Sequence, residues 1–399
     1  MNKRQIPVEE LRHGMYVLQL DRPWLGTPFL FQGFPIASDD QIERLKKYCR
    51  TVFIDLERDA SNRDVRRQFS AQPLVRGSAV YKEVTSVENE LAVAKDIYFA
   101  CEQSVQESLE SLRKTGDFDP EVLTTAVGKM TRSIERNPDA MMLLLRIRQK
   151  SSEEFNLAVD ISIHMITLGR FLQFPSERLE LLGLAGLLLD IGKINLPEAI
   201  LQKKDTLTAE EYELSKEHVL HSVRLITDMP ALPSGLIDII MQHHERLDGS
   251  GYPQGLCGQQ ITIDGAIAGL VNSYCALISK RTYAEQMSPS NALSMLYKQR
   301  DTLFHEALVE QLIQCIGMYP VGSAVELNTG DVGIVIAQNL VRRLQPKVMT
   351  ILDPSWKPIR PQLVLDLVKD PKTSANEPYR IKRSIPLNQL PIDIEEFFL

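Results

Sequence analysis

The fold is decided by one stretch of the sequence, His243-His244-Glu245-Arg246-Leu247-Asp248-Gly249-Ser250-Gly251-Tyr252-Pro253. An apolar helical run precedes this stretch. The stretch itself begins with two adjacent histidines and continues into a segment rich in glycine. Neighbouring side chains on a helix splay by roughly 100°, so both imidazoles can reach one site only where the helix ends. The glycines and the proline predict a turn there.

This stretch resembles the HHE…GYP signature of the HD-GYP family, bacterial phosphodiesterases that use metal ions to open cyclic di-GMP. The resemblance implies a helical bundle with two or three iron or manganese ions, which polarise the phosphodiester and lower the pKa of a bound water. It also implies that Gly251, Tyr252 and Pro253 contact the nucleotide. The alternative is an ordinary helix C-terminus with two half-buried histidines and a glycine-rich stop.

Length and composition narrow the class of protein. A chain of 399 residues is expected to form two or three domains. Its 45 basic and 52 acidic residues give a net charge of −7, and no segment is basic enough to predict a polynucleotide partner. The most apolar run, at 179–191, is interrupted by Asp190 and too short to span a bilayer. No apolar run follows the basic start, so we expect a cytoplasmic protein without a signal peptide.

The five cysteines are scattered and have no CxxC spacing, which predicts reduced thiols.

Residues 1–57 predict a small α+β domain. Its strands are expected at 14–18, 29–31 and 51–54, and its helix at 39–45, with Ser38 as the N-cap. This segment resembles the uncharacterised domain that often precedes HD-GYP modules. Residues 58–77 are polar and predict a linker.

Residues 78–147 predict a helical connector. It contains a seam of apolar residues spaced by threes and fours, namely Val87, Leu91, Ala94, Tyr98, Cys101, Val105, Leu109 and Leu112. Packing of this seam against the chain's own helices is favoured, and a homodimer through a coiled coil is the alternative. Residues 148–319 predict the all-α HD-type bundle. Residues 320–399 predict a small β-rich appendage, with strand-like runs at 324–327, 333–336, 348–352 and 363–365. The expected fold class is therefore multidomain and mainly helical.

Several positions match the family's metal ligands. The segment 187–193 resembles the LLHDIGK run that names the family, and it keeps Asp190 and Lys193. His218 lies where the resemblance implies a ligand; His221, one turn further on, is the alternative. The resemblance implies that Asp190, His218, His243 and His244 hold one ion and that Lys193 is catalytic. The plain alternative for Asp190 is a helix-end ion pair with Lys193.

The first ligand helix of the family matches residues 153–170. Glu153 is kept as a predicted metal ligand, but Leu157 stands where the family has a histidine. His164 lies about two turns beyond Leu157, and we interpret it as a core or surface histidine.

Two further ligand positions are replaced. Leu189 stands for the histidine of the HD pair, and Asn272 for an aspartate in a segment that resembles VADVYDAL. Leucine cannot bind a metal, and asparagine offers only a neutral carbonyl oxygen. Arg281 and Tyr283 keep most of the family's RPY turn, and the resemblance implies that Arg281 contacts the nucleotide phosphate.

These replacements predict one iron or manganese ion at a half-site, and no full two- or three-metal centre. They leave two functions open. The favoured function is a degenerate HD-GYP protein, a cyclic di-GMP sensor or a scaffold for other cyclic di-GMP signalling proteins, with weak or no hydrolysis. The alternative is an active phosphodiesterase that makes pGpG or GMP from the half-site, assisted by Glu153 and Lys193. A related cyclic dinucleotide is also an expected ligand.

Overall fold

The computed structural model describes residues 3–12, 15–22, 34–36, 39–55, 71–116, 118–147, 154–203, 205–227, 229, 232–279, 287–339 and 341–398. The chain divides into two compact units, residues 1–70 and 71–399. The finer domain boundaries expected from the sequence stay a prediction.

In its described residues, the first unit packs one α-helix on a four-stranded antiparallel sheet. Its elements are β1 Lys3–Pro7, β2 Tyr16–Leu20, β3 Phe34–Pro35, α1 Asp39–Tyr48 and β4 Thr51–Asp55. The strands lie in the order β1-β4-β2-β3. Val17, Leu45 and Val52 are fully buried in its core. The predicted α+β character is confirmed, whereas the strand at 29–31 and the cap Ser38 lie outside the described residues.

The second unit is mainly helical. The α-helices described before its C-terminal sheet are α2 Val87–Thr115, α3 Pro120–Arg136, α4 Pro138–Ile147, α5 Glu154–Phe171, α6 Ser176–Leu188, α7 Glu198–Leu201, α8 Ala209–Lys216, α9 His218–Thr227, α10 Leu236–Gln242, α11 Ile263–Ile278, α12 Pro289–Lys298 and α13 Glu306–Ile316. Helices α5, α6 and α11 pack against one another. Within the described ranges, no helix combines the length and apolarity needed to cross a bilayer.

Helix α2 carries the seam predicted from the sequence. The Ser86 hydroxyl accepts from the backbone N–H of Asn89 and begins the helix, and Gly116 ends it in the left-handed conformation. All seam residues except Leu109 are buried. The helix packs against α3 and α4, which confirms the favoured prediction that it contacts the chain's own helices.

An extended segment follows residue 70 and runs along the bundle. The backbone N–H of Gly77 donates to the carbonyl of Leu172 over 2.9 Å. A Cβ on Gly77 would lie 1.8 Å from the carbonyl oxygen of Gln173, so only glycine fits this contact. Gly77, at the end of the segment expected to be a linker, is thus held against the bundle by a backbone hydrogen bond.

The chain ends in a five-stranded antiparallel sheet and the short helix α14 Glu395–Phe398. The strands are β5 Ala324–Leu327, β6 Val332–Ala337, β7 Lys347–Leu352, β8 Val364–Asp366 and β9 Ile381–Ile385, in the order β8-β7-β6-β5-β9. The first four strands were predicted, which confirms the β-rich appendage. Strand β9 was missed because its three central residues are exposed and polar, so it lacks an apolar alternation.

Candidate metal centre

A serine fixes the segment that carries Asp190. Helix α6 ends at Leu188, and Asp190 begins a 3-10 turn at Ile191–Asn195. The hydroxyl of Ser222 donates to the carbonyl of Leu189 over 3.0 Å and accepts the N–H of Gly192 over 2.8 Å. Ser222 is fully buried in α9, the helix that begins with His218. One side chain therefore ties Asp190 to the helix of the first histidine.

Gly192 makes this approach sterically feasible. A Cβ at that position would lie 2.1 Å from the carbonyl oxygen of His218 and 2.2 Å from the backbone nitrogen of Ser222. Both atoms belong to the backbone of α9, so no side chain could move aside. The turn after Asp190 can pack this closely only because residue 192 is glycine.

Two of the histidines are oriented by backbone carbonyls. Nδ1 of His218 lies 2.6 Å from the carbonyl oxygen of Ser215, and Nδ1 of His243 lies 2.6 Å from that of Ile240. Because a carbonyl only accepts, each Nδ1 carries a proton, which in the neutral form of the ring leaves the lone pair on Nε2. A hydrogen bond at the far ring nitrogen is the usual support of a metal-bound imidazole.

The glycine-rich loop positions the third histidine. The rings of His244 and Tyr252 stack with centroids 4.5 Å apart, and the N–H of Tyr252 donates to the carbonyl of His244 over 3.2 Å. A Cβ on Gly251 would lie 2.5 Å or less from three backbone atoms of residues 244–246. The loop folds back on the helix end this closely because residue 251 is glycine.

Glu245 holds the loop in place, a role that the sequence did not reveal. Its side chain is 4% exposed. Its Oε1 accepts the N–H of Gln254 over 2.7 Å, and its Oε2 accepts the N–H of Leu256 over 2.9 Å. A glutamate directly after a histidine pair was a visible signal, but its partners lie about ten residues away and depend on the loop's path.

These elements bring four of the five predicted metal ligands together. The set of Asp190, His218, His243 and His244, called the donor cluster below, has one ligand atom of each residue within 4.8 Å of the others. Oδ1 of Asp190 lies 3.2 Å from Nε2 of His218 and 3.7 Å from Nε2 of His243. These three buried atoms have no hydrogen-bond partner among the described residues.

The donor cluster fits a transition-metal ion. Buried polar atoms without a partner are costly, and a cation at the centre would satisfy all three at once. Three imidazoles and one carboxylate suit iron, manganese or zinc. The four residues of the donor cluster could therefore hold such an ion.

The electrostatics keep the ligands in the form that binds metals. Burial acts to raise the pKa of Asp190, but that pKa is held well below its usual value, and the Lys193 ammonium contributes most to the lowering. Burial lowers the pKa of His243, and it lowers the pKa of His244 well below the usual value. A carboxylate and neutral imidazoles are the states that coordinate a metal.

Lys193 also pairs with Asp190, but on the other oxygen. Its Nζ lies 2.8 Å from Oδ2, whereas the histidines face Oδ1. The two interpretations of Asp190, helix-end ion pair and cluster member, are therefore compatible.

The other candidate site residues that the structure describes lie outside the donor cluster. His221 has Nε2 3.8 Å from Oε2 of Glu217 and is not part of the cluster. His164 is buried, with Nδ1 2.7 Å from the carbonyl of Asp160, as expected for a core histidine. The replacing residues Leu189 and Asn272 are buried and Leu157 is partly buried. Glu153 and Arg281 lie outside the described residues.

The residues of this site lie in a segment that matches a known domain family. Residues 141–308 match the family described as HD domain, and residues 3–122 match a domain of unknown function, DUF3391. The chain contains an HD domain. The donor cluster lies within it, and the resemblance to the HD-GYP family and to its usual N-terminal neighbour is confirmed.

Relatives of this HD domain protein are named for cyclic dinucleotides. A cyclic di-GMP phosphodiesterase of Pseudomonas aeruginosa is 28% identical over 368 residues, 91% of this chain and 89% of that protein. A 3'3'-cGAMP-specific phosphodiesterase of Vibrio cholerae is 25% identical over 68% of this chain and 52% of its own length. A solved HDG"Y"P protein of Bdellovibrio bacteriovorus has a TM-score of 0.48 at 20% identity, covering 78% of this chain and 98% of that one.

Proposed function

We propose that this protein is a cytoplasmic cyclic-dinucleotide sensor that carries one metal ion and hydrolyses its ligand weakly or not at all. The observation that supports this most is the contrast within the HD domain. The donor cluster is complete, whereas the three positions expected to hold a neighbouring ion carry Leu157, Leu189 and Asn272. Cyclic di-GMP is the proposed ligand because a relative that aligns with 91% of this chain is named as a cyclic di-GMP phosphodiesterase.

The half-site suits binding better than cleavage. One bound ion supplies a Lewis acid for a phosphodiester oxygen, while a two-metal clamp stabilises both the attacking and the leaving oxygens. In this chain Lys193 holds an ammonium beside the cluster, and Tyr252 offers an aromatic ring stacked on His244. Loss of the second cation removes charge stabilisation that a transition state needs. Recognition of the phosphate does not depend on that stabilisation.

A second function is favoured by one observation. The Pseudomonas relative aligns over 91% of this chain and bears the name of a phosphodiesterase. On this alternative, the half-site cleaves cyclic di-GMP to pGpG or GMP, with Lys193 and Glu153 assisting.

One pair of measurements separates the two functions. Protein purified without oxygen and loaded with manganese is titrated with cyclic di-GMP by calorimetry, and the same sample is followed by chromatography. Binding without pGpG or GMP is the expected result. Product formed at many turnovers per chain supports the phosphodiesterase, and no heat up to high micromolar nucleotide contradicts the sensor. Titration with 3'3'-cGAMP tests the choice of nucleotide.

A further inference from the structure

A cavity separate from the donor cluster lies where the helical bundle meets the C-terminal sheet. The first turn of α4, the C-terminal half of α5 and the segment after β6 line it, and they contribute Asp139, Thr167, Arg170 and Gln338. Thr167 lies about ten residues beyond Leu157 on α5, which is about 15 Å along the helix. The residues that line the cavity include no member of the donor cluster.

The size of the cavity limits what it can hold. Its volume is about 50 Å³, and one water molecule needs roughly 10–15 Å³. The cavity therefore has room for a few water molecules, or for one ion with two to four oxygen atoms. A cyclic dinucleotide is far larger, so the ligand of this cavity differs from the ligand proposed for the metal centre.

Two donors in residues that line the cavity lack a partner. Thr167 is 8% exposed, and its hydroxyl has no hydrogen-bond partner among the described residues. Nε of Arg170 is also buried and has no partner in the same part of the chain. Elsewhere this guanidinium contacts the carbonyl of Glu135, over 3.2 Å from Nη2, and the ring of Tyr81. Buried donors are costly unless water or a ligand accepts from them.

Positive charge predominates among the lining residues. Arg146 and Arg170 both line the cavity, and within the described ranges neither guanidinium forms an ion pair with a carboxylate. Burial lowers the pKa of Arg170, but an arginine stays protonated in proteins. Of the two acids in the lining, Glu83 is exposed. Asp139 is buried, its Oδ2 accepts the N–H of Gln338, and burial raises its pKa to about 7. Below that pH, Asp139 is mainly uncharged and does not offset the arginines.

We propose that this cavity binds a small oxyanion, of the phosphate or the carboxylate class, which accepts hydrogen bonds from Arg170, Thr167 and Arg146. A guanidinium group donates in a forked geometry that both classes of anion match. The site is distinct from the metal centre and does not depend on the proposed function. A bound ion contacts the bundle close to the segment after β6, so it should raise the stability of the second unit.

The test is a calorimetric titration of the full-length protein with inorganic phosphate and with acetate, at constant ionic strength and about pH 6.5, where most of the Asp139 carboxyl is protonated. We expect saturable binding of one ion per chain, and the anion that binds more tightly identifies the class. Arg170→Met should weaken binding by about tenfold or more, because it removes a charged donor.

Thr167→Val gives a second and milder test. It should weaken binding by about fivefold, while the melting temperature of the ion-free protein stays the same or rises, since the lost hydroxyl has no partner among the described residues. This variant keeps the test decisive if Arg170→Met does not fold.

The matched control is Arg178→Met, which removes an arginine already paired with Asp264 over 2.7 Å. It should leave oxyanion binding unchanged, and so should His243→Ala, which alters the donor cluster alone. No saturable binding of either anion up to tens of millimolar shows that the cavity holds only water and overturns the proposal. Unchanged binding in both Arg170→Met and Thr167→Val also overturns it. Loss of binding in His243→Ala does so too, because it places the ion at the donor cluster.

Discussion

The N–H of Gly192 donates to the hydroxyl of Ser222 over 2.8 Å, across the contact between the Asp190 turn and the helix of His218. This contact sets the separation of two cluster members, although neither Gly192 nor Ser222 is a ligand. Gly192→Ala should therefore destabilise the HD domain by about 1–3 kcal/mol, the usual cost of overpacking, and reduce manganese binding. Thermal unfolding and metal analysis of the variant check both effects.

Gly128→Ala is the matched control for that prediction. Its Cβ would meet the flexible end of Arg132 at 3.4 Å, inside helix α3. There alanine should be neutral or stabilise the protein by up to about 1 kcal/mol through helix propensity. Equal melting temperatures for the two variants would refute the close packing at Gly192.

Glu245→Gln should loosen the loop of Gly251-Tyr252-Pro253. The carboxylate accepts two backbone N–H groups, from Gln254 and Leu256, whereas an amide can accept only at its one oxygen. We expect a loss of about 1–3 kcal/mol, with faster hydrogen exchange at those two amides. Glu213→Gln, which changes a carboxylate 69% exposed, should alter stability by less than about 0.5 kcal/mol. Unchanged exchange at Gln254 and Leu256 would contradict the anchoring role.

Asp139 should make stability depend on pH. Burial raises its pKa to about 7, although its Oδ2 accepts the N–H of Gln338. Because the folded pKa lies above the unfolded one, this stability is fully present below about pH 4 and is lost as the pH rises to about 7. Between about pH 5 and pH 8, the unaltered protein should lose on the order of 1–3 kcal/mol relative to Asp139→Asn.

Chemical denaturation of both proteins at the two pH values measures this difference. Asp96→Asn, at an exposed position of helix α2, should follow the unaltered protein. Parallel pH profiles for Asp139→Asn and the unaltered protein would show that Asp139 does not titrate in this range.

Restoring the replaced ligands should change the metal content. Leu157→His, Leu189→His and Asn272→Asp together should raise bound manganese toward two ions per chain, at some cost in stability because Leu189 is fully buried. The matched control carries glutamine in place of the two new histidines, since an amide is a poor ligand for such a metal. If both triple variants bind the same amount of manganese, the assignment of these three positions is wrong.

Part of this structure could be predicted because its signals are local. The adjacent His243 and His244, the Asp190 turn and the seam of helix α2 are readable from residue order and spacing. The sequence also favoured His218 over His221, and only His218 lies in the cluster.

Other features depend on contacts between distant elements. The residues near Ser222 in the sequence do not indicate that its hydroxyl forms hydrogen bonds with Leu189 and Gly192, about thirty residues earlier. The partners of Glu245 depend on the path of a loop. The sequence alone left two alternatives for Asp190, an ion pair with Lys193 or a place among the histidines. Only the three-dimensional positions show that one carboxylate oxygen faces Lys193 and the other faces the histidines.

On the proposed function, Asp190, His218, His243 and His244 hold one metal ion. The most direct measurement is the number of manganese ions per chain in the full-length protein, in His243→Ala and in His221→Ala, by elemental analysis after anaerobic loading. We predict one ion in the unaltered protein and in His221→Ala, and almost none in His243→Ala. No ion or two ions in the unaltered protein, or full retention in His243→Ala, would contradict the claim.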